Sequence, residues 1–306
     1  MEKYDIVIVG AGPGGLTAGI YAGRQGTKNL ILDRGFAGGL GREVPEMENY
    51  PGFDNVSGLE LTEKMKSQAV KNCELHENED VLEIIKNDDE YRFTVKTDKD
   101  SYLSKTVILA TGSSHRHLNA KGEEEFKGKG VSYCATCDGF FFQGRDIIMV
   151  GGGNSALQEA LYLNNLGANV TLVHRRDEFR AQKHLQNQVH EEGINIIYNA
   201  VVEEIKGDML VDTVVLKDTK TGELTDLSIS GIFISVGYIP HTELAEQLGV
   251  DLDESGHIII DKEQKTNVDY VYAIGDVCVG LKQWVVACGE GAVAATSAYH
   301  DLKDIN

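Results

Sequence analysis

One local order occurs twice in this chain and restricts its fold more than any other feature: strand, glycine turn, helix, strand. Residues 4–9 are an apolar, β-branched run. Gly10-Ala11-Gly12-Pro13-Gly14-Gly15 follows, then an Ala-rich helical stretch through Gly26, then a second apolar run at 29–32 that ends in Asp33. The same grammar returns at residues 146–150, with Gly151-Gly152-Gly153-Asn154-Ser155-Ala156, a helix through Leu166 and a strand at 169–173 that ends in His174-Arg175-Arg176. Each is a βαβ unit, in which the apolar period changes from 2 to 3.6 and back. Residues 91–97, 106–109, 231–236 and 270–274 read as further strands, and a small-residue helix is expected near 289–299. The expected class is α/β, with two Rossmann-like, three-layer domains. Candidate crossovers at 113–117 and 237–242 make one domain discontinuous, with residues 115–242 inserted between 1–114 and 243–306.

The glycines have separable jobs. In G-x-G-x-x-G, Gly10 permits the tight turn, Gly12 lets the backbone approach a pyrophosphate, and Gly15 lets helix and strand pack closely. The helix N-terminus then offers free N–H groups and a positive dipole end to the phosphate. Asp33, about 20 residues on, is placed to accept both hydroxyls of a ribose. In the second copy Gly151, Gly153 and Ala156 make G-x-G-x-x-A, and the ribose-acid position holds His174, Arg175 and Arg176, with Arg180 beyond. Guanidiniums cannot accept from hydroxyls, but they grip a 2′-phosphate, which points to NADPH rather than NADH. Asp276, after Gly275 at a strand end, reads either as an acceptor for ribityl hydroxyls or as a turn residue capping a helix.

Cys134-Ala135-Thr136-Cys137-Asp138 is a C-x-x-C followed by an acid. Two thiols at this spacing close a small disulfide ring and exchange with another disulfide. Asp138 is placed to pass a proton to a leaving thiolate or to a dihydroflavin. No metal site is expected: a zinc site needs two more ligands, and Cys278 and Cys288 form no second C-x-x-C. With Cys73 they read as small core fillers. His115 and His117 lie in a polar linker and are expected to face solvent. Phe140-Phe141-Phe142 reads either as core or as a docking platform for a protein substrate.

Composition narrows the partners. The 306 residues carry a net charge of −19, which disfavours nucleic acid and anionic lipid. No run reaches the roughly 18 apolar residues of a membrane span. Met1-Glu2-Lys3-Tyr4-Asp5 leads straight into a strand without the regions of a signal peptide, so a cytoplasmic location is the default expectation. Five cysteines do not make a secreted disulfide framework, and in a reducing cytosol a disulfide is usually catalytic or redox-sensing.

Two nucleotide turns around a redox C-x-x-C make the chain resemble the low-molecular-weight thioredoxin reductases, flavoproteins of the pyridine nucleotide-disulfide oxidoreductase superfamily. The resemblance spans essentially the whole chain. Its most specific elements are Cys134-Ala135-Thr136-Cys137-Asp138-Gly139-Phe140-Phe141, Gly151-Gly152-Gly153-Asn154-Ser155-Ala156, His174-Arg175-Arg176 with Arg180, Glu48-Asn49-Tyr50-Pro51-Gly52, and Gly275-Asp276. The C-x-x-C in the NADPH half is distinctive of that family. The resemblance implies FAD over Gly10, Gly12 and Gly15, with Asp33 on the adenosine ribose, Gly38, Gly39 and Asn49 lining the flavin, and Asp276 and Gln283 on its ribityl and ring portion. It implies NADPH on Gly151, Gly153 and Ser155, with Arg175, Arg176 and Arg180 on the 2′-phosphate. Cys137 would be the sulfur beside the flavin, Cys134 the thiolate attacking the partner, and Asp138 the general acid. Phe140 and Phe141 would lie at a surface for thioredoxin or a thioredoxin-like protein, and the chain would form a homodimer whose NADPH domain rotates between two states. Leu40, the run Gly41-Arg42-Glu43-Val44 and Lys282-Gln283-Trp284 depart from the family's usual pattern. Some relatives changed in these regions take electrons from ferredoxin or a reduced deazaflavin, which makes that donor the alternative, beside a non-catalytic flavin-binding sensor.

Overall fold

Glu2–Val9 is a central strand because both of its faces are apolar: Val7 and Val9 enter one core layer, Ile6 and Ile8 the other. In the computed structural model, which describes residues 1–44, 47 and 49–304, this strand pairs in parallel with Asn29–Leu32 and with Ser101–Leu109. The sheet runs in the order Glu74–His76, Asn29–Leu32, Glu2–Val9, Ser101–Leu109, Phe93–Thr97, Val81–Lys86. Val271–Ala273 adds to Ser101–Leu109 in parallel. Helices Pro13–Arg24, Gly58–Ala69 and Trp284–Asp304 cover one face through Leu16, Leu61, Met65, Ala294 and Ala298. The antiparallel arm Val81–Lys86 and Phe93–Thr97, with helix Glu243–Leu248, covers the other. Pro13 starts its helix where a missing N–H costs nothing.

The second unit repeats the plan. Its five parallel strands run Asn195–Tyr198, Asn169–His174, Asp146–Gly151, Gly231–Ser235, Val131–Ser132. Ile147 and Met149 face helices Asn154–Asn165 and Lys183–Glu191, whereas Ile148 and Val150 face an antiparallel meander, Ala200–Gly207, Val211–Asp218 and Leu224–Ser228. The mixed three-layer α/β class is the one expected.

Residues 1–114 with 239–306 form one compact unit, and 115–238 the other. Residues 239–242 therefore group with the first unit rather than with the insert. Thr111 Oγ1 donates to His241 O at 2.7 Å, and His241 N donates to Gly112 O at 3.0 Å, which ties that segment to the end of Ser101–Leu109. The closing helix, expected near 289–299, is longer, at Trp284–Asp304. Its last turns are anchored where Asp301 accepts from Tyr272 Oη at 2.5 Å and from Lys265 Nζ at 2.9 Å.

The solvent-facing reading of His115 does not hold. Its ring is half-buried, stacked on Tyr133 at 4.8 Å and tilted against Tyr238 at 4.9 Å. His117 is exposed but meets the Tyr133 hydroxyl at 3.0 Å. Aromatic burial outweighs the polarity of the segment.

Leu172, fully buried in the second unit's sheet, tests the packing. Leu172→Ala should cost about 2–5 kcal/mol, read as a lower denaturant midpoint for that unit.

Candidate active site: two glycine turns and a redox disulfide

The first glycine turn is held by hard contacts. Gly10 has φ +108°, and a Cβ there would lie 2.2 Å from Ala110 O; a Cβ on Gly15 would lie 1.9 Å from Gly10 O. Gly12 differs, because a Cβ there would meet nothing within 4 Å. Its neighbours enforce the turn while Gly12 leaves backbone facing open space. The helix that follows has no side-chain cap, so its leading N–H groups stay available to an anion. Asp33 fastens the turn to the next loop: Oδ2 accepts Ala11 N at 2.6 Å and Oδ1 accepts Gly35 N at 2.8 Å. Each oxygen keeps a further lone pair for a ribose hydroxyl.

Gly38 N donates to Ala11 O at 2.8 Å, which brings Gly38 and Gly39 beside the turn. Asn49 and Gln283, far apart in the chain, meet through Asn49 Nδ2 donating to Gln283 Oε1 at 3.0 Å. Glu48 lies outside the described residues. Gly275 N donates to Glu290 Oε2 at 2.6 Å. Asp276 is half-buried, and burial raises its carboxyl above the usual range while Lys282 pulls it back. Burial raises Glu290 too and lowers the ammonium of Lys282, which donates to Cys278 O.

Trp284 now has a physical account. A Cβ on Gly41 would lie 2.2 Å from Trp284 Cζ3, so the indole occupies the space that a side chain at 41 would take. Tyr50 meets its edge at 6.3 Å, and its Nε1 points at Met65 Sδ, 3.3 Å away. The two departures compensate one another in volume.

The second turn mirrors the first. A Cβ on Gly151 would strike both Ala156 Cβ at 2.4 Å and Ser235 O at 2.5 Å, whereas Gly153 again faces open space. Its helix, with Ser155 exposed in the first turn, also lacks a side-chain cap. Gly152 O accepts Arg180 N at 2.9 Å, which fixes the Arg180 loop to the turn. Arg175, Arg176 and Arg180 are all exposed. Asp177, one of the two acids between Arg176 and Arg180, is paired with Lys220 at 3.2 Å rather than with an arginine. His174 is buried beneath the turn and kept below its usual pKa mainly by burial. Glu159, on the same helix, went unnoticed in the sequence; burial pushes its carboxyl up to about 7, and a Ser235 hydroxyl at 3.3 Å opposes the shift.

Cys134 and Cys137 form a disulfide, with Cα atoms 5.3 Å apart. Cys134 precedes the short helix Ala135–Asp138, and its carbonyl accepts Cys137 N at 3.3 Å and Asp138 N at 3.1 Å. Burial raises the Asp138 carboxyl, and a hydrogen bond from Ser132 at 2.6 Å opposes it. The other three cysteines are free. Burial pushes the Cys73 thiol up to about 12 and raises Cys278 and Cys288, which makes them poor nucleophiles. The phenylalanine run divides. Phe142 packs on Phe233 at 5.2 Å, whereas Phe140 and Phe141 are about half exposed beside the disulfide loop. Among the described residues, no group of His, Cys, Asp and Glu could hold a metal ion, and no helix is long and apolar enough to cross a membrane.

The pyridine nucleotide-disulphide oxidoreductase family model matches residues 4–291, and the chain belongs to that family. It is 42% identical over 305 residues to a thioredoxin reductase of Listeria innocua, covering 99% of this chain and 95% of that one. A thioredoxin reductase of Bacillus subtilis is 39% identical over 305 residues, with 99% and 96% covered. The crystal structure of thioredoxin reductase from Streptococcus pyogenes superposes with a TM-score of 0.90 at 42% identity, covering 99% of both chains. Family membership carries the use of a flavin and a pyridine nucleotide.

The two kinds of turn glycine should separate. Gly15→Ala, which closes on Gly10 O, should lower the melting temperature of the cofactor-stripped protein. Gly12→Ala should leave its stability unchanged within about 0.5 kcal/mol while lowering retained flavin several-fold, read by absorbance.

Proposed function

We propose that this chain is a thioredoxin reductase that uses NADPH, FAD and the Cys134–Cys137 disulfide to reduce a thioredoxin-like protein. The observation that carries the reading is the formed disulfide beside a half-buried acid, in a chain that also has two open-centred glycine turns. The turns fit two dinucleotides of different kind. Gly10, Gly12, Gly15 and Asp33 would hold FAD, with Gly38, Gly39, Asn49, Gly275, Asp276 and Gln283 toward its flavin end. Gly151, Gly153 and Ser155 would hold NADPH, with Arg175, Arg176 and Arg180 on the 2′-phosphate.

When bound, the flavin supplies a stage between hydride and disulfide chemistry that amino-acid side chains lack. The protein's own residues do the rest. The reading assigns Cys137 to face the flavin and Cys134 to attack the partner disulfide as thiolate. Asp138, whose carboxyl burial raises above its ordinary range, supplies the proton that one leaving sulfur needs. Phe140 and Phe141 offer an apolar landing for the partner. The same proposal makes the protein a homodimer in the cytoplasm, where the free thiols of Cys73, Cys278 and Cys288 remain reduced. Light scattering checks the dimer.

Cys134→Ser should cut thioredoxin reduction by about 10³-fold or more while NADPH still bleaches the flavin band. Retained thioredoxin reduction would refute the reading. Bleaching by ferredoxin or a reduced deazaflavin, and not by NADPH, would move the donor to that alternative. Replacing Arg175 and Arg176 with Ala should raise KM for NADPH by about 10–100-fold and leave KM for NADH within about 2-fold, measured in steady state.

A further inference from the structure

Asp138 does not stand alone beside the disulfide. Ser132 lies on the strand Val131–Ser132, in register with Phe233 of the next strand, and is 5% exposed. Its Oγ donates to Asp138 Oδ2 at 2.6 Å and accepts the Cys134 N–H at 3.1 Å. Cys134 O lies 3.4 Å from the same oxygen. A hydroxyl has one hydrogen and two lone pairs. With Asp138 ionised, the hydrogen goes to the carboxylate. With Asp138 protonated, the carboxyl donates to a lone pair of Oγ, and the serine hydrogen turns to Cys134 O. The Cys134 N–H keeps the other lone pair throughout. Ser132 Oγ, Asp138 Oδ2, the Cys134 N–H and the Cys134 carbonyl each have a partner in both states, in a place where an unpaired one is costly.

We propose that Ser132 is the positioning residue for the proton in disulfide reduction: it holds Asp138 in one orientation and satisfies it with or without its proton. The inference rests on the disulfide reductase reading above. In the step concerned, the Cys134–Cys137 bond accepts two electrons from the reduced cofactor and breaks. One sulfur leaves as thiolate and the other takes the Asp138 proton to become a thiol. The carboxylate left behind keeps the Ser132 hydrogen bond.

Burial and Ser132 are the two influences that set this carboxyl, and they oppose one another. From the elements packed nearby, Glu159 is turned to Ser235, and Glu123 is held by the Tyr133 hydroxyl and the amides of Leu118 and Ala120. Removing the serine hydroxyl leaves burial unopposed, so Asp138 keeps its proton to higher pH.

The test uses the holoenzyme and two readouts. Carbon NMR follows the Asp138 carboxyl through pH, assigned with Asp138→Asn, and a steady-state profile follows thioredoxin reduction. In Ser132→Ala the carboxyl midpoint and the alkaline limb of the profile should both rise by about one pH unit. Ser132→Thr and Ser132→Val, both suited to a strand, provide a second comparison: Thr should keep the wild-type midpoint, and Val should shift like Ala. A folded Ala or Val variant with an unmoved midpoint overturns the proposal, as does a Thr variant that shifts as far as Val. Asp138→Asn with full thioredoxin reduction and an unchanged profile would remove the acid role itself, and the proposal with it.

Discussion

Hard-sphere contact between backbones, at two glycine turns, is the constraint on which the rest depends. In each unit a strand end, the helix after it and a neighbouring strand converge until a single methyl group would overlap a carbonyl oxygen. The overlaps would fall on Ala110 O and Gly10 O in one turn and on Ser235 O in the other. Only backbone without side chains passes there. The convergence points the leading amides of each helix into a space that the middle glycine, Gly12 or Gly153, keeps clear. The same geometry places Asp33 within reach of the first turn and the arginine loop within reach of the second.

Electrostatics differentiates two similar scaffolds. The first has a carboxylate anchored on backbone amides, and the second has exposed guanidiniums in a chain that is otherwise strongly acidic. The disulfide loop adds a third element: a carboxyl raised by burial and answered by one hydroxyl. Similar balancing recurs around Asp276, Glu290 and Lys282, where burial disfavours charge on all three.

Much of this was legible because turn chemistry is local. Strand, glycine turn and helix sit within about 30 residues, and the period of the apolar residues marks each one. The C-x-x-C and its acid were equally local. Long-range pairings were hidden from the sequence. Nothing in Asn49 or Gln283 announces that they meet, and Ser132 looks like any strand serine until register sets it against Asp138. The antiparallel meander at Ala200–Ser228 mixes apolar with charged residues and lacks the continuous apolar runs that mark the parallel strands, so the sequence does not announce it. His115 misled because neighbouring polarity says little about aromatic rings arriving from elsewhere in the chain.

The interlock of Gly41 and Trp284 makes the two positions depend on one another. A chain with an indole at 284 and any side chain at 41 would have two groups in one volume, whereas a chain with glycine at 41 and a small residue at 284 merely has a gap. Overlap of that kind forces the indole or the backbone to shift, and a gap also costs stability. A side chain at 41 is therefore admitted only beside a smaller residue at 284, so the two positions are expected to change as a pair.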